Sequence, residues 1–180
     1  MFKPFTPATR HLATSLSLSL GLLLSAAVLA QGKSDFAQPI EISSERDFFD
    51  LANNIAVFDV NVVIRQGSLE IRADNLRVKR DAAAGTDEFI ASGSPASYKQ
   101  TLEDGSVIEA EAEQINYDQV KQIITLTGKA SVAQNNSVIQ GNEIIYNFAT
   151  QQLSANRGED SERVTTIFMP KKNNDEPINR

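Results

Sequence analysis

Carboxylates are the side chains of this sequence whose number and spacing first invite a chemical reading. Glu109, Glu111 and Glu113 alternate with apolar residues in Val107-Ile108-Glu109-Ala110-Glu111-Ala112-Glu113, so three acids share one face of a strand. A calcium site would need oxygens converging from loops, and a solvated strand face is the simpler reading. Asp50 and Asp118 occupy equivalent places in an internal repeat. They are the pair that a carboxylate-dependent envelope glycan hydrolase would need, but both stand beside turns, where Asp is favoured for backbone reasons. Other chemistry has little to draw on. The 180 residues include no Cys and a single His, His11. Thiolate nucleophiles, disulfides and Cys-ligated zinc or iron–sulfur sites are excluded. No enzymatic activity, cofactor or metal is expected.

Even His11 belongs to a segment expected to be removed. Lys3 and Arg10 precede an apolar stretch from Leu16 to Ala30, which ends Val28-Leu29-Ala30 before Gln31. This is the layout of a secretory signal peptide over residues 1–30. The stretch is shorter than the ~20 residues of a spanning helix, and there is no Cys to acylate. Cleavage deletes two cations and takes the net charge from −6 to −8. About 150 residues remain, the size of one domain, without His. Ser-His-Asp, Cys-His and His-metal mechanisms are thereby excluded as well. An acidic chain is also a poor partner for nucleic acid. Lys171 to Arg180 is polar and flanked or interrupted by Pro170 and Pro177; it reads as a disordered tail, leaving one domain over 31–170.

The elements of that domain read as strands. Val62 and Ile64, then Leu69, Ile71 and Ala73, alternate with polar residues, as does the glutamate segment. Ile123-Ile124-Thr125-Leu126, Ser137-Val138-Ile139 and Ile144-Ile145-Tyr146 are rich in β-branched and aromatic residues. Turn clusters punctuate them at Asn53-Asn54, Gln66-Gly67-Ser68, Gly93-Ser94-Pro95, Glu103-Asp104-Gly105-Ser106 and Asn135-Asn136-Ser137. Asp47 to Ala52 is the one stretch with room for a turn of helix.

A short pattern repeats within the strands. Ala73-Asp74-Asn75-Leu76-Arg77-Val78 matches Ala112-Glu113-Gln114-Ile115-Asn116-Tyr117 and Gly141-Asn142-Glu143-Ile144-Ile145-Tyr146, with a degenerate copy at Ser44-Glu45-Arg46-Asp47-Phe48-Phe49. The copies start at 44, 73, 112 and 141, at intervals of 29, 39 and 29, and the two halves align without a gap at an offset of 68. Such repetition indicates stacked, similar units. Each copy also shifts the apolar phase, from Ile71 and Ala73 to Leu76 and Val78, from Ala110 and Ala112 to Ile115 and Tyr117, and from Ile139 and Gly141 to Ile144 and Tyr146. A one-residue shift would turn a regular strand inside out. An extra residue at the acidic position, a β-bulge, bends the strand and keeps both halves facing one interior. The predicted fold is all-β, a bent, rolled sandwich of repeated antiparallel hairpins.

A roll of this kind is either filled, as a scaffold for protein partners, or open to an apolar ligand. For the second case, the inward positions Phe49, Ile71, Val78, Ile115, Tyr117, Leu126, Ile139 and Tyr146 are the expected contacts. Two more features bear on partners. The N-terminal strand Pro39-Ile40-Glu41-Ile42-Ser43 and the C-terminal strand Arg163-Val164-Thr165-Thr166-Ile167-Phe168-Met169 alternate regularly and carry no internal protection. Ile40, Ile42, Val164, Thr166 and Phe168 then mark edges suited to head-to-tail strand addition, which builds open filaments. Arg72, Arg77, Lys79 and Arg80, with Arg65 nearby, form a basic cluster. It is either a solvated face or a contact for anionic headgroups.

The segments Gln66-Gly67-Ser68-Leu69-Glu70-Ile71-Arg72-Ala73-Asp74, Gly93-Ser94-Pro95-Ala96, Leu126-Thr127-Gly128-Lys129-Ala130 and Arg163-Val164-Thr165-Thr166, with Pro39-Ile40-Glu41-Ile42, resemble the OstA-like family from about Gln38 to Pro170. The resemblance implies a twisted β-jelly roll in the periplasm. It implies a groove that shields the acyl chains of lipopolysaccharide, and head-to-tail assembly with inner- and outer-membrane components of a transport bridge. By residue matching it places Ile40, Ile42, Tyr98 and Tyr117 against lipid A. The sequence departs from the family at Val60, in Phe58-Asp59-Val60-Asn61, where the family's first half tends to have Gly. That departure puts the local turn in doubt. There is no nucleotide-binding loop, so energy for directional flow must enter elsewhere.

Overall fold

The computed structural model describes residues 35–170 apart from 82, 84 and 159–162. The expected signal peptide and polar tail lie outside the described residues. Ten strands follow one another: β1 (Glu41–Ser43), β2 (Arg46–Asp50), β3 (Ile55–Gln66), β4 (Leu69–Asp81), β5 (Thr86–Thr101), β6 (Val107–Asp118), β7 (Ile123–Gln134), β8 (Ser137–Asn147), β9 (Gln152–Asn156) and β10 (Thr165–Phe168). They form one antiparallel sheet in the order β1-β3-β4-β5-β6-β7-β8-β10, with β2 beside β3 and β9 beside β8. Consecutive long strands are joined by tight turns, as the alternation and turn chemistry predict.

The phase switch is a line of corners across this sheet. In β4 the buried positions are Leu69, Ile71 and Ala73, then Leu76; in β6 they are Ile108, Ala110 and Ala112, then Ile115 and Tyr117. Pairing breaks at each of these places. Asp74 stands opposite Val60-Asn61 of β3, and Asn142 of β8 stands opposite Gly128-Lys129 of β7. Extra residues thus occur on both sides of each break. They fold every long strand so that its two halves face a shared interior. Tyr117, from the second half of β6, donates its hydroxyl hydrogen to Gln66 Oε1 at the end of β3, 2.7 Å away, which ties one half to the other. The degenerate repeat at Ser44 is where the corner breaks the strand outright. β1 and β2 pair with opposite halves of β3, and the Glu45 N–H donates to the Val60 carbonyl at 3.1 Å.

Two expectations need correction. Gly93-Ser94-Pro95 is not a turn between strands: β5 runs through it, with a cis Ser94–Pro95 peptide at its corner. A corner needs the same residue types as a hairpin loop, so composition alone does not separate them. Asp47 to Ala52 holds no helix; Arg46–Asp50 is β2, and Leu51–Asn54 is the turn after it.

Val60 takes a left-handed turn at a cost. Its φ is 67°, in the left-handed region, as is the 80° of Gly128, which lies at the equivalent position of the repeat. A β-branched residue is strained there, whereas glycine is not. Val60→Gly is expected to raise stability by about 1 kcal/mol, a gain of about 3 °C in melting temperature. Thermal unfolding followed by circular dichroism checks this.

Candidate functional site

The middle of the roll is filled. Ile64, Ile71, Leu76, Tyr98, Ile115, Tyr117, Ile124, Leu126 and Ile144 are all nearly or wholly inaccessible to solvent. The packing opens beside β2. Alternation turns Phe49 of β2, Ala56 and Phe58 of β3, Val78 of β4 and Phe89 of β5 to the inner face, and register sets them side by side: Phe49 opposite Ala56, Ala56 opposite Val78, Val78 opposite Phe89. With Pro39, Ile40 and Ile42 they line an open groove of about 380 Å³. A recess of about 180 Å³ adjoins it and shares Phe49, Ala56 and Val78. Phe49 stands edge-on to Phe58 with ring centroids 5.8 Å apart, yet 57% of it is exposed. Leu51, in the following turn, is 84% exposed. Large apolar side chains left open beside a concave apolar wall mark a site rather than a core.

One ion pair stands on the groove rim. Arg80 shares the parity of Val78 and lines both the groove and the recess with Asp87. The pair is bidentate, with Arg80 Nε 2.9 Å from Asp87 Oδ1 and Nη2 3.0 Å from Oδ2. The guanidinium holds the Asp87 carboxyl below its ordinary value. A larger cleft, about 680 Å³, lies beyond this pair among Lys79, Asp87, Glu88, Asn116, Asp118 and Lys121. Its mixed charges give an acyl chain no gain over water, so the smaller groove is the better candidate.

The predicted contacts divide between these regions. Ile40, Ile42, Phe49 and Val78 line the groove. Ile71, Tyr98, Ile115, Tyr117, Leu126 and Tyr146 lie in the closed core, with Ile139 packed partly buried against it. Tyr117 reaches the groove at second hand, its ring 5.9 Å from that of Phe89. Burial pushes the Tyr98 and Tyr117 hydroxyls up, so both stay protonated donors. Sequence reasoning missed Phe58 and Phe89, the floor of the groove. The match of Phe58 to Leu126 at the repeat offset of 68 was the available signal for the first. Of the basic cluster, Arg77 and Lys79 are exposed on the outer face, and Arg72 is paired with Glu70 at 2.7 Å. Arg80, of the same cluster, is the cation at the groove.

The acids are accounted for locally. Asp50 accepts from the Asn53 amide and side chain at 3.1 and 2.7 Å. Burial would push the Asp118 carboxyl up, but bonds from Lys121 outweigh it and hold it below its ordinary value. Glu109 pairs with Lys99 and Glu113 with Lys129. These are turn closures and a solvated ion-paired face. Asp50 and Asp118, both held low, are poor general acids near neutral pH.

β1 and β10 lie at the two ends of the strand order. β1 pairs with β3 from Glu41 opposite Arg65 to Ser43 opposite Val63. β10 pairs with β8 from Thr165 opposite Gln140 to Phe168 opposite Ser137, and Phe168 is 78% exposed. Ile40 and Val164 fall just outside these strands.

Comparison with known proteins places this architecture. A family model described as LptA/(LptD N-terminal domain) LPS transport protein matches residues 41–152, from the first residue of β1 to the first of β9. The chain belongs to the LptA/LptD N-terminal domain family. Within it, the chain is 36% identical over 156 residues to the lipopolysaccharide export system protein LptA of Haemophilus influenzae, covering 83% of this chain and 90% of that protein. It is 34% identical over 160 residues to LptA of Escherichia coli K12, covering 85% and 86%. The crystal structure of LptH, described as the LptA-homologous periplasmic component of the lipopolysaccharide transport device of Pseudomonas aeruginosa, matches with a TM-score of 0.70 and 27% identity over 76% of this chain and 99% of that one. The OstA-like resemblance read from the sequence and the twisted all-β roll are thus borne out together.

Proposed function

We propose that this chain is a periplasmic lipopolysaccharide carrier. It holds lipid A acyl chains in the groove formed by Ile40, Ile42, Phe49, Phe58, Val78 and Phe89, and copies join head to tail into a bridge between inner and outer membranes. Membership of a lipopolysaccharide transport family supports the transport role. The observation that carries the site is an open apolar groove beside a packed core. A scaffold that bound protein partners alone would have no use for that opening.

The energetics suit a carrier. Each methylene moved out of water stabilises by ~0.8 kcal/mol, so covering about a dozen contributes on the order of 10 kcal/mol without any polar anchor. Release into water would cost the same amount, so lipid must pass directly into a neighbouring groove. Addition of one copy's β10 to another's β1 would align such grooves. The secretory leader expected over residues 1–30 delivers the chain to the periplasm. Arg80 at the rim, with Arg77 and Lys79 outside it and Arg72 farther along β4, supplies charge for headgroup phosphates.

A photoreactive phenylalanine at Ile40, Ile42 or Phe49 of the purified protein tests the site. Irradiation with lipopolysaccharide is expected to give covalent adducts from all three. Loss of adduct from all three positions overturns the reading.

A further inference from the structure

Residues 35–38 lead from the interior of the roll to its surface just before β1, with Asp35 buried, Phe36 half-buried and Ala37 and Gln38 exposed, and polar bonds hold them there. Gln38 and Pro39 end the open groove on one side. On the other side Phe36 closes a small space with Gln100, Leu102, Tyr146 and Phe148, its ring 5.3 Å from that of Phe148. Asp35 is 4% exposed, deep for a carboxylate. It accepts from the Ser68 amide at 3.0 Å, the Ser68 hydroxyl at 2.5 Å and Gln100 Nε2 at 2.9 Å. Gln66 Nε2 donates to the carbonyls of Phe36 and Gln38, at 3.3 and 3.0 Å, while its Oε1 accepts from Tyr117. Tyr98 donates to Gln100 Oε1. The neighbouring hairpin is shaped around this contact: a Cβ on Gly67 would stand 2.1 Å from Asp35 Oδ1.

We propose that residues 35–38 are a strap that ends the acyl-chain groove, and that its release from Ser68, Gln66 and Gln100 opens the groove inward. The space vacated by Phe36 and its backbone would join the groove to the wall of Tyr98, Tyr146 and Phe148. Polar fastening suits a part that moves, because each bond can be exchanged for one to water once the strap swings out. The strap leads straight into Pro39, Ile40 and β1. A strand added to the edge of β1 therefore acts on the strap through three or four residues of backbone, which couples joining of a second copy to the depth of the groove. The proposal rests on the carrier reading above.

The absence of native cysteine makes the test direct. In Asp35→Cys/Ser68→Cys the introduced thiols replace the carboxylate and hydroxyl that touch, and a disulfide between them locks the strap. Two measurements are made on oxidised and reduced protein: lipopolysaccharide crosslinking from a probe at Phe49, and exchange of bound lipopolysaccharide to a second, tagged copy. Locking is expected to leave Phe49 adducts within twofold of the parent chain and to slow exchange at least tenfold, with recovery on reduction. Exchange at the parent rate with the disulfide formed overturns the strap. Loss of Phe49 adducts in both redox states strikes at the groove itself, and the strap falls with it. Asp35→Ala gives a second reading should the disulfide not form. With folding verified by circular dichroism, exchange is expected to be about threefold faster, and an unchanged rate overturns the proposal.

Discussion

Tyr117→Ala is expected to lower the free energy of unfolding by about 4 kcal/mol, in the range of large aromatic truncations in packed cores. The side chain is wholly buried, packs its ring tilted against Phe89 and bonds Gln66 across the fold. Truncation removes all three at once. Tyr117→Phe keeps the ring and is expected to cost about 1 kcal/mol, for the lost hydrogen bond and the unpaired Gln66 oxygen. Urea unfolding of both variants, read as a shift in midpoint at constant slope, makes the comparison. The pair also separates two roles for one residue. A core role predicts a large stability loss on truncation in the absence of lipid. A role confined to ligand contact predicts near-normal stability with weakened lipopolysaccharide binding.

Tyr117 also shows how far the sequence could be read. Its inward direction followed from the shift of apolar parity between Ala112 and Ile115, and the structure turns it inward. Parity says which side of a strand a residue takes, and nothing about what stands opposite. That is why Ile71, Ile115 and Leu126 could be assigned to an interior while the boundary between filled core and open groove could not. The boundary depends on register between strands: Phe89 joins the groove because it pairs with Val78 across β4 and β5. The corners were legible because bulges leave a mark in the phase, though Gly93-Ser94-Pro95 read as a turn. The strap was not legible at all. Asp35 meets Ser68 and Gln100 at separations of 33 and 65 residues, and no local pattern records such contacts.

Phe49→Asp is expected to weaken lipopolysaccharide binding by about 100-fold, while Phe48→Asp, one residue away, leaves it within about twofold. Burying a phenylalanine side chain is worth ~1.5–3 kcal/mol, and a carboxylate in its place must also be desolvated against acyl chain. The two residues share β2 and are similarly open, at 57% and 64% exposed. They differ in side: Phe49 lines the groove beside Ala56 and Phe58, whereas Phe48 pairs with Val57 on the opposite face. Neither substitution empties a packed core, so both proteins are expected to fold with melting temperatures close to that of the parent chain. Equilibrium binding of labelled lipopolysaccharide to the two variants then reads direction alone. Equal losses from both would mean that lipid adheres to the apolar surface of β2 in general and would remove the groove from the mechanism. A loss confined to Phe49 would mean that the alternation of one short edge strand, five residues long, decides where the lipid lies.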